Sequence, residues 1–268
     1  MNNLAIIDGN NWANRAYYSL KNLKNSQGVP TGAIFGFKNM FKQILDNYKN
    51  ICVCFDGKGN NPRYDIYPNY KDGRSHKPEL YPQFKYIFRY LECIGVPYMI
   101  SEIYEADDYI NTIVKLSKDK FHQIHIFSND KDLHQLVNDE VIQFTANSRM
   151  GLKEIQHKFG ISPNFMIDYL SIVGDTSDNI PGCRGIGKIS AVKLINKYGS
   201  ITSVRQKTKN LKDKLSLKFN SDYESVKLSR SLIKLVFINK LVFNDYTIGE
   251  INTEQLKLLF NELEFKNG

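Results

Sequence analysis

A chain of 268 residues, 42% hydrophobic and 24% charged, has material for one large or two modest globular domains with a sizeable core. Its formal net charge of +8 points to a polyanionic partner, most simply nucleic acid, or to a lysine-rich solubilising surface. No apolar run approaches the about 18 residues that would span a membrane, and neither the four cysteines nor the five histidines fall at zinc-ligand spacing. Cys52 and Cys54 lie two apart on one strand and face the same way, as buried reduced thiols of an intracellular protein.

Residues 4–7 form an apolar run that ends in Asp8-Gly9, which reads as a buried strand delivering an acid at its end. The first strand begins so early that no signal or transit segment is expected ahead of it. The same grammar returns at residues 51–55, before Asp56-Gly57, and at 124–127, before Ser128-Asn129-Asp130-Lys131-Asp132. Helical patterns separate these runs, at 12–20 with Arg15 and after the Gly32 loop with Phe35, Met40, Ile44 and Leu45. Parallel strands of one α/β sheet are therefore expected. Residues 56–82 are rich in Gly, Pro, Asn, Tyr and basic residues, and a helix is expected at 84–93 and a strand at 96–100. A helix opens at Glu105-Ala106-Asp107-Asp108, with Ile110, Ile113, Val114 and Leu116 as its buried face. A helix through 137, a strand at 141–144, a further element at 152–159 and a helix at 165–173 lead to Gly174-Asp175-Thr176-Ser177-Asp178. The hairpin 182–187 precedes a helix at 188–198 that Gly199 terminates, and one more helix is clear at 223–236. The last thirty or so residues carry no functional signal, and no internal repeat is found.

In an open α/β sheet, ligands bind outside the carboxyl ends of the strands, where Asp8, Asp56, Asp130 and Asp132 are expected to meet. Glu105 and Asp108 share a helix face beside Asp107, and Asp175 and Asp178 repeat the i, i+3 spacing. Singly, such acids cap helices or make turns. Together in a cleft they repel, and folding is penalised unless cations neutralise them. With hard oxygen ligands throughout, the cluster suits Mg²⁺ or Mn²⁺, and two such ions about 4 Å apart clamp the attacking and leaving oxygens of a phosphodiester. An acidic metal site on a basic chain fits a nuclease.

Arg63, Tyr67, Tyr70 and Arg74 would share one helix face, but Pro68 makes a helix starting at Pro68 the better expectation, with Tyr70, Lys71 and Arg74 in its first two turns. Such a surface stacks a base and holds phosphates, or is a solvated loop. Gly185-Ile186-Gly187-Lys188 lets backbone N–H groups approach a phosphate at a helix start, or is an ordinary helix–helix turn.

The ordered set resembles the 5′ nuclease family: flap endonucleases, bacteriophage 5′-to-3′ exonucleases and the N-terminal nuclease domain of bacterial DNA polymerase I. The motifs are Asp8-Gly9 with Arg15, Phe55-Asp56-Gly57-Lys58, Arg63, Tyr70-Lys71-x-x-Arg74, Glu105 to Asp108, Ser128-x-Asp130-Lys131-Asp132, Gly174 to Gly182 and Gly185-Ile186-Gly187, with Leu228-Ser229-Arg230 and Leu232 on the family's later helix. The resemblance implies an α/β fold with a mostly parallel central sheet and helices on both faces (a PIN-like core, 1–174), a helical arch at about 57–82, and a helical region (175–268) containing a helix-hairpin-helix motif. It implies a Mg²⁺ (or Mn²⁺) enzyme with two or more ions held by Asp8, Asp56, Glu105, Asp107, Asp108, Asp130, Asp132, Asp175 and Asp178. Lys71 and Arg74 would contact the scissile phosphate, while Arg15, Arg63, Tyr70, Gly185, Gly187 and Lys188 would contact DNA, with K⁺ at the hairpin. The implied activity is metal-dependent 5′-to-3′ exonuclease and flap cleavage of junction DNA with a free 5′ end, or of an RNA–DNA hybrid in primer removal. The implied protein is a monomeric, stand-alone, cytoplasmic nuclease of a bacterium or phage-infected host. The competing readings are a catalytically vestigial DNA-binding protein and a metal-dependent ribonuclease.

Overall fold

The structure, a computed structural model, describes residues 2–57, 59–100, 102–241 and 245–265. Its sheet has the order β3-β2-β1-β4-β5-β6, formed by β1 (Asn3–Asp8), β2 (Asn50–Phe55), β3 (Tyr98–Ile100), β4 (Gln123–Phe127), β5 (Val141–Phe144) and β6 (Arg149–Met150). All pairings are parallel except β5 with β6, where a short turn returns the chain antiparallel. β1 and β2 are buried on both faces, which is why they read as continuous apolar runs rather than alternating ones. Succession runs one way from β1 to β3 and the other way from β4 onward, so the order reverses between β1 and β4. That reversal opens the crevice where ligands bind in such sheets.

Side chains alternate across the sheet. Ala5, Ile7, Ile51, Val53 and Phe55 face a core completed by α1 (Gly9–Ser19), α2 (Gly32–Leu45) and α4 (Phe84–Cys93). Leu4, Ile6, Cys52, Cys54, Ile124 and Ile126 face α5 (Ala106–Leu116) and a C-terminal stretch with Leu235, Ile238 and Tyr246. Cys52 and Cys54 do face the same way, and all four cysteines are free and buried. A second, helical core gathers α6 (Leu152–Phe159), α7 (Met166–Val173), α8 (Lys188–Tyr198), α9 (Ile201–Thr208), α10 (Lys214–Ser221) and α11 (Tyr223–Ile233). The last helix, α12 (Thr253–Leu263), returns to the first core through Leu259 and Leu263. Among the described residues no helix is long and apolar enough to cross a membrane.

Several expectations change: the helix expected through 137 is a 3₁₀ turn at Asp132–Leu136, and the helix expected at 223–236 ends at Ile233, where Lys234 turns extended. The helix after β1 starts at Gly9 rather than 12, because Asp8 itself caps it by accepting the Asn11 N–H at 2.9 Å. The helix expected from Pro68 does not form, and among the described residues of 57–82 the α-helical piece is the single turn α3 (Arg63–Ile66), with a 3₁₀ turn following at Tyr81–Gln83. Residues 67–74 run instead as successive turns closed by Tyr70 to Tyr67, Asp72 to Asn69 and Arg74 to Lys71 bonds, with Lys71 at φ 57° and Gly73 at φ 88°. A left-handed residue stops helix propagation, and here it lets the Lys71 N–H reach across to the Asp178 carbonyl at 2.9 Å.

Arg63 and Asp108, 4% and 0% exposed, join the two cores. The guanidinium donates to both carboxylate oxygens at 2.7 and 2.9 Å and to the Leu232 carbonyl at 2.8 Å, while the Val236 N–H donates to Asp108. Removing one partner of such a pair strands a buried charge, so Arg63→Met or Asp108→Ala is expected to cost about 3–5 kcal/mol in urea denaturation. The double variant should lose less than the sum of the two; strict additivity would show that the pair does not act as a unit.

Candidate active site at the carboxyl edge of the sheet

Three neighbouring strands, β2, β1 and β4, end in or just before Asp56, Asp8 and Asp130. Each acid is fixed by backbone or a small side chain. Asp8, besides capping α1, accepts the Ser128 hydroxyl at 2.6 Å, and Ser128 Oγ in turn accepts the Asp130 N–H at 3.0 Å. Asp130 accepts the Asp132 N–H at 2.8 Å. Asp56 accepts the Ala106 N–H at 2.9 Å, so the cap of α5 is supplied by the β2 acid and not by the side chain of Glu105. Asn10 anchors the Asp56 N–H from the start of α1. Under the Asp130 loop, Gln143 on β5 donates to the carbonyls of Ser128 and Asp130 and pairs with His134, whose imidazole burial pushes down to about 4.

The acids press on one another electrostatically. Burial raises Asp8 to about 7, with Asp56 and Asp130 adding repulsion against the Ser128 and Asn11 hydrogen bonds. Burial also pushes Asp107 well up, helped by Asp130, Asp8 and Glu105 and opposed by Lys71. Asp56, Asp130 and Asp132 are raised by burial in the same way, with Glu105 acting on Asp56, Asp178 on Asp130 and Asp130 on Asp132. Glu105 and Asp175 are lowered instead, each beside a basic partner, and Asp178 is ion-paired too. Glu105 receives the Lys71 ammonium, Asp178 the Arg74 guanidinium, and Asp175 the Lys131 ammonium at 2.9 Å. Burial pushes Glu105 up, but Lys71 and Arg63 more than offset it and hold it below the usual carboxylate range. Asp175 is likewise lowered overall, burial being outweighed by Ser177 and Lys131.

Several expected site residues sit elsewhere. Asp108, expected among the metal ligands, is wholly buried with its oxygens committed to Arg63 and the Val236 N–H. Arg63, expected at the DNA surface, is buried in that same pair. Tyr70 is 4% exposed and packs in the helical core with its hydroxyl on Glu105 at 3.2 Å, so its ring is not presented to a base. Arg15 is exposed on α1. Lys58 lies outside the described residues. In the hairpin, Gly185, Gly187 and Lys188 are exposed while Ile186 is buried beneath them, and the Lys218 ammonium donates to the Gly185 carbonyl at 3.3 Å. The loop is pinned by Gly182, at φ 63°, where a Cβ would lie 2.6 Å from the Gly174 nitrogen. Asn10, Ser128 and Gln143 position the acids; Ser128 stood in the Ser128-x-Asp130-Lys131-Asp132 motif without a role, and Asn10 and Gln143 were not expected at the site. Asn10 follows directly on Asp8-Gly9 and Ser128 lies two residues before Asp130, which are the local signals that mark them, whereas Gln143 has none.

The donor set fits divalent cations. Every candidate ligand is a carboxylate oxygen, the inner acids are buried with like charges, and Asp132 Oδ1 is buried without a hydrogen-bond partner. Among the described residues no three potential ligands are gathered tightly enough to hold one ion as they stand, with the outer carboxylates turned to Lys71, Arg74 and Lys131.

Two family models match the chain. One, described as "5'-3' exonuclease, N-terminal resolvase-like domain", covers residues 3–160, and the other, "5'-3' exonuclease, C-terminal SAM fold", covers 161–254. A 5'-3' exonuclease of Aquifex aeolicus is 32% identical over 274 residues, covering 100% of this chain and 94% of its own length. DNA polymerase I of Caldicellulosiruptor bescii is 32% identical over 277 residues, covering 98% of this chain and 33% of the polymerase, so the chain spans about a third of that relative. Among solved structures, bacteriophage T5 5'-exonuclease with divalent metal ions (zinc) bound has a TM-score of 0.68 at 22% identity, over 86% of this chain and 89% of that one. The catalytic core of Rad2 in complex with DNA substrate has a TM-score of 0.67 at 16% identity, over 98% and 87%. At these identities the structural likeness establishes the shared fold.

If the inner acids oppose folding by repulsion, neutralising one stabilises the protein without metal. Asp107→Asn in EDTA is expected to raise the thermal midpoint by about 3 °C or more, as roughly 1 kcal/mol or more of relief would do in a chain of this size. A lowered midpoint would contradict the electrostatic reading.

Proposed function

This chain belongs to the 5′-3′ exonuclease family, and we propose that it hydrolyses phosphodiester bonds of DNA carrying a free 5′ end, cutting at single-strand/double-strand junctions. The observation that carries the reading is the convergence of Asp8, Asp56, Asp130 and Asp132 at the sheet's order reversal, on a chain of net charge +8. Asp107 from α5 shares their field.

Bound Mg²⁺ or Mn²⁺ ions would supply an activated water and stabilise the leaving 3′ oxygen. The residues to hold them are Asp8, Asp56, Asp107, Asp130 and Asp132, with Glu105, Asp175 and Asp178 available once their basic partners turn to substrate. Lys71 and Arg74, resting on Glu105 and Asp178, are placed to transfer to the scissile phosphate as it arrives and to balance the charge that develops there. The hairpin glycines Gly185 and Gly187, with Lys188, offer exposed backbone and a cation to the duplex phosphates. A K⁺ would be held at this loop by backbone carbonyls of the hairpin, where it would add positive charge toward the duplex phosphates. We assign the protein to replication or repair in the cytoplasm of a bacterium or phage-infected host, acting as a monomer and accepting RNA–DNA hybrids in primer removal.

The test is a 5′-labelled flapped duplex incubated with protein in Mg²⁺ or EDTA, with the expected cuts near the junction in Mg²⁺ alone. Asp130→Asn should abolish cleavage and leave DNA binding near wild type, and Lys71→Met should lower kcat about a hundredfold. Full activity of Asp130→Asn would sink the ligand assignment, and binding without cleavage by the wild type would favour the vestigial reading.

A further inference from the structure

Strand β5 is apolar but for Gln143, which lies between Ile142 and Phe144 and is 0% exposed. A buried carboxamide costs stability unless its donors and its acceptor find partners. Here they all do. Nε2 donates to the Ser128 carbonyl at 2.9 Å and to the Asp130 carbonyl at 2.7 Å, while Oε1 lies 2.8 Å from His134 Nδ1. Both amide hydrogens are spent on carbonyls, so Oε1 accepts, and the imidazole proton of this pair sits on His134 Nδ1.

These bonds close a ring, from the Asp130 carbonyl along the chain to His134 and back through the Gln143 amide. His134 is buried as well, in the 3₁₀ turn Asp132–Leu136, with its imidazole edge-on to Phe159 of α6 at 5.3 Å. Asp130 and Asp132 both belong to the closed segment, and the Asp132 N–H bond to the Asp130 carboxylate crosses it. Among the described residues Asp132 Oδ1 has no hydrogen-bond partner, so the backbone of the ring sets where that oxygen points. A leucine at 143 would suit an apolar strand and would leave the Ser128 and Asp130 carbonyls without this donor. Packing alone therefore does not call for the polar pair.

We propose that Gln143 and His134 are positioning residues for the divalent cation that Asp130 and Asp132 hold. The pair fixes the spacing of the two carboxylates before an ion arrives, so that ion binding does not have to order the loop. Neither side chain is itself a ligand. The inference rests on the ligand assignment of the nuclease reading above, and adds to it the buried pair that sets its affinity for the ion.

The test is calorimetric titration of Mn²⁺ into the protein without DNA, for the wild type, Gln143→Leu and His134→Phe, with thermal midpoints in EDTA to show that each is folded. Gln143→Leu is expected to weaken the Mn²⁺ Kd about tenfold or more. His134→Phe keeps the ring and loses only the donor, so about fivefold is expected. The double variant should bind no more weakly than Gln143→Leu, because the imidazole acts through the amide. A merely structural role would lower the midpoints in EDTA and leave the Kd of the folded variants at the wild-type value, and that result overturns the assignment. Should Gln143→Leu fail to fold, the Kd of His134→Phe decides in the same way. Weakened Mn²⁺ binding by the variants of a wild type that never cuts DNA would refute the nuclease reading and leave the positioning role standing. Cleavage by the wild type with equal Kd in all variants would do the reverse.

Discussion

Asp8, Asp56, Asp107, Asp130 and Asp132 are brought by four different elements into one buried field, and their burial, with their mutual repulsion added to it, is the cost around which the molecule is arranged. Nothing in the strands themselves requires an acid at these ends; apolar packing above and below the sheet supplies the stability that holds them there. The backbone then limits the damage. Asp8 caps α1, Asp56 caps α5, and Ser128 bridges Asp8 to the Asp130 backbone while Asp130 accepts the Asp132 N–H, so the carboxylates of Asp8, Asp56 and Asp130 each have a donor that helps to define their orientation.

Around this centre lies a ring of internal cations. Lys71, Arg74 and Lys131 neutralise Glu105, Asp178 and Asp175, and two of them come from the turn-rich stretch after α3. That stretch also touches the helical core through Tyr70 and through the Lys71 N–H on Asp178. The sheet, the turn-rich segment and the hairpin region are thus coupled through charge as well as packing. A polyanion that draws Lys71 and Arg74 outward would free carboxylates at the same moment, which couples substrate capture to cation capture.

Much of this was legible in the sequence, because continuous apolar runs ending in acids are a strong signal for central parallel strands. The helices at Phe84–Cys93 and Lys188–Tyr198 begin and end where their sequence patterns do. What failed has a common cause. Arg63, Tyr70 and Asp108 look like surface chemistry by residue type, yet each is buried by a partner far away in sequence: Arg63 and Asp108 by one another, and Tyr70 by the helical core. The expected helix from Pro68 fails for a local reason joined to a distant one, a left-handed Lys71 whose N–H is claimed by Asp178. Gln143 gave no signal, because its role is to bond two carbonyls on a neighbouring strand's loop.

The central claim is that the inner carboxylates form one field that cations relieve. Its most direct measurement is the thermal midpoint of the protein without DNA as Mg²⁺ is added, for the wild type and for Asp8→Asn. The wild type should gain stability saturably with Mg²⁺, following the logarithmic dependence of site binding, and Asp8→Asn should start higher in EDTA and gain less. A wild-type midpoint that ignores Mg²⁺, or an equal gain in both proteins, would contradict the account.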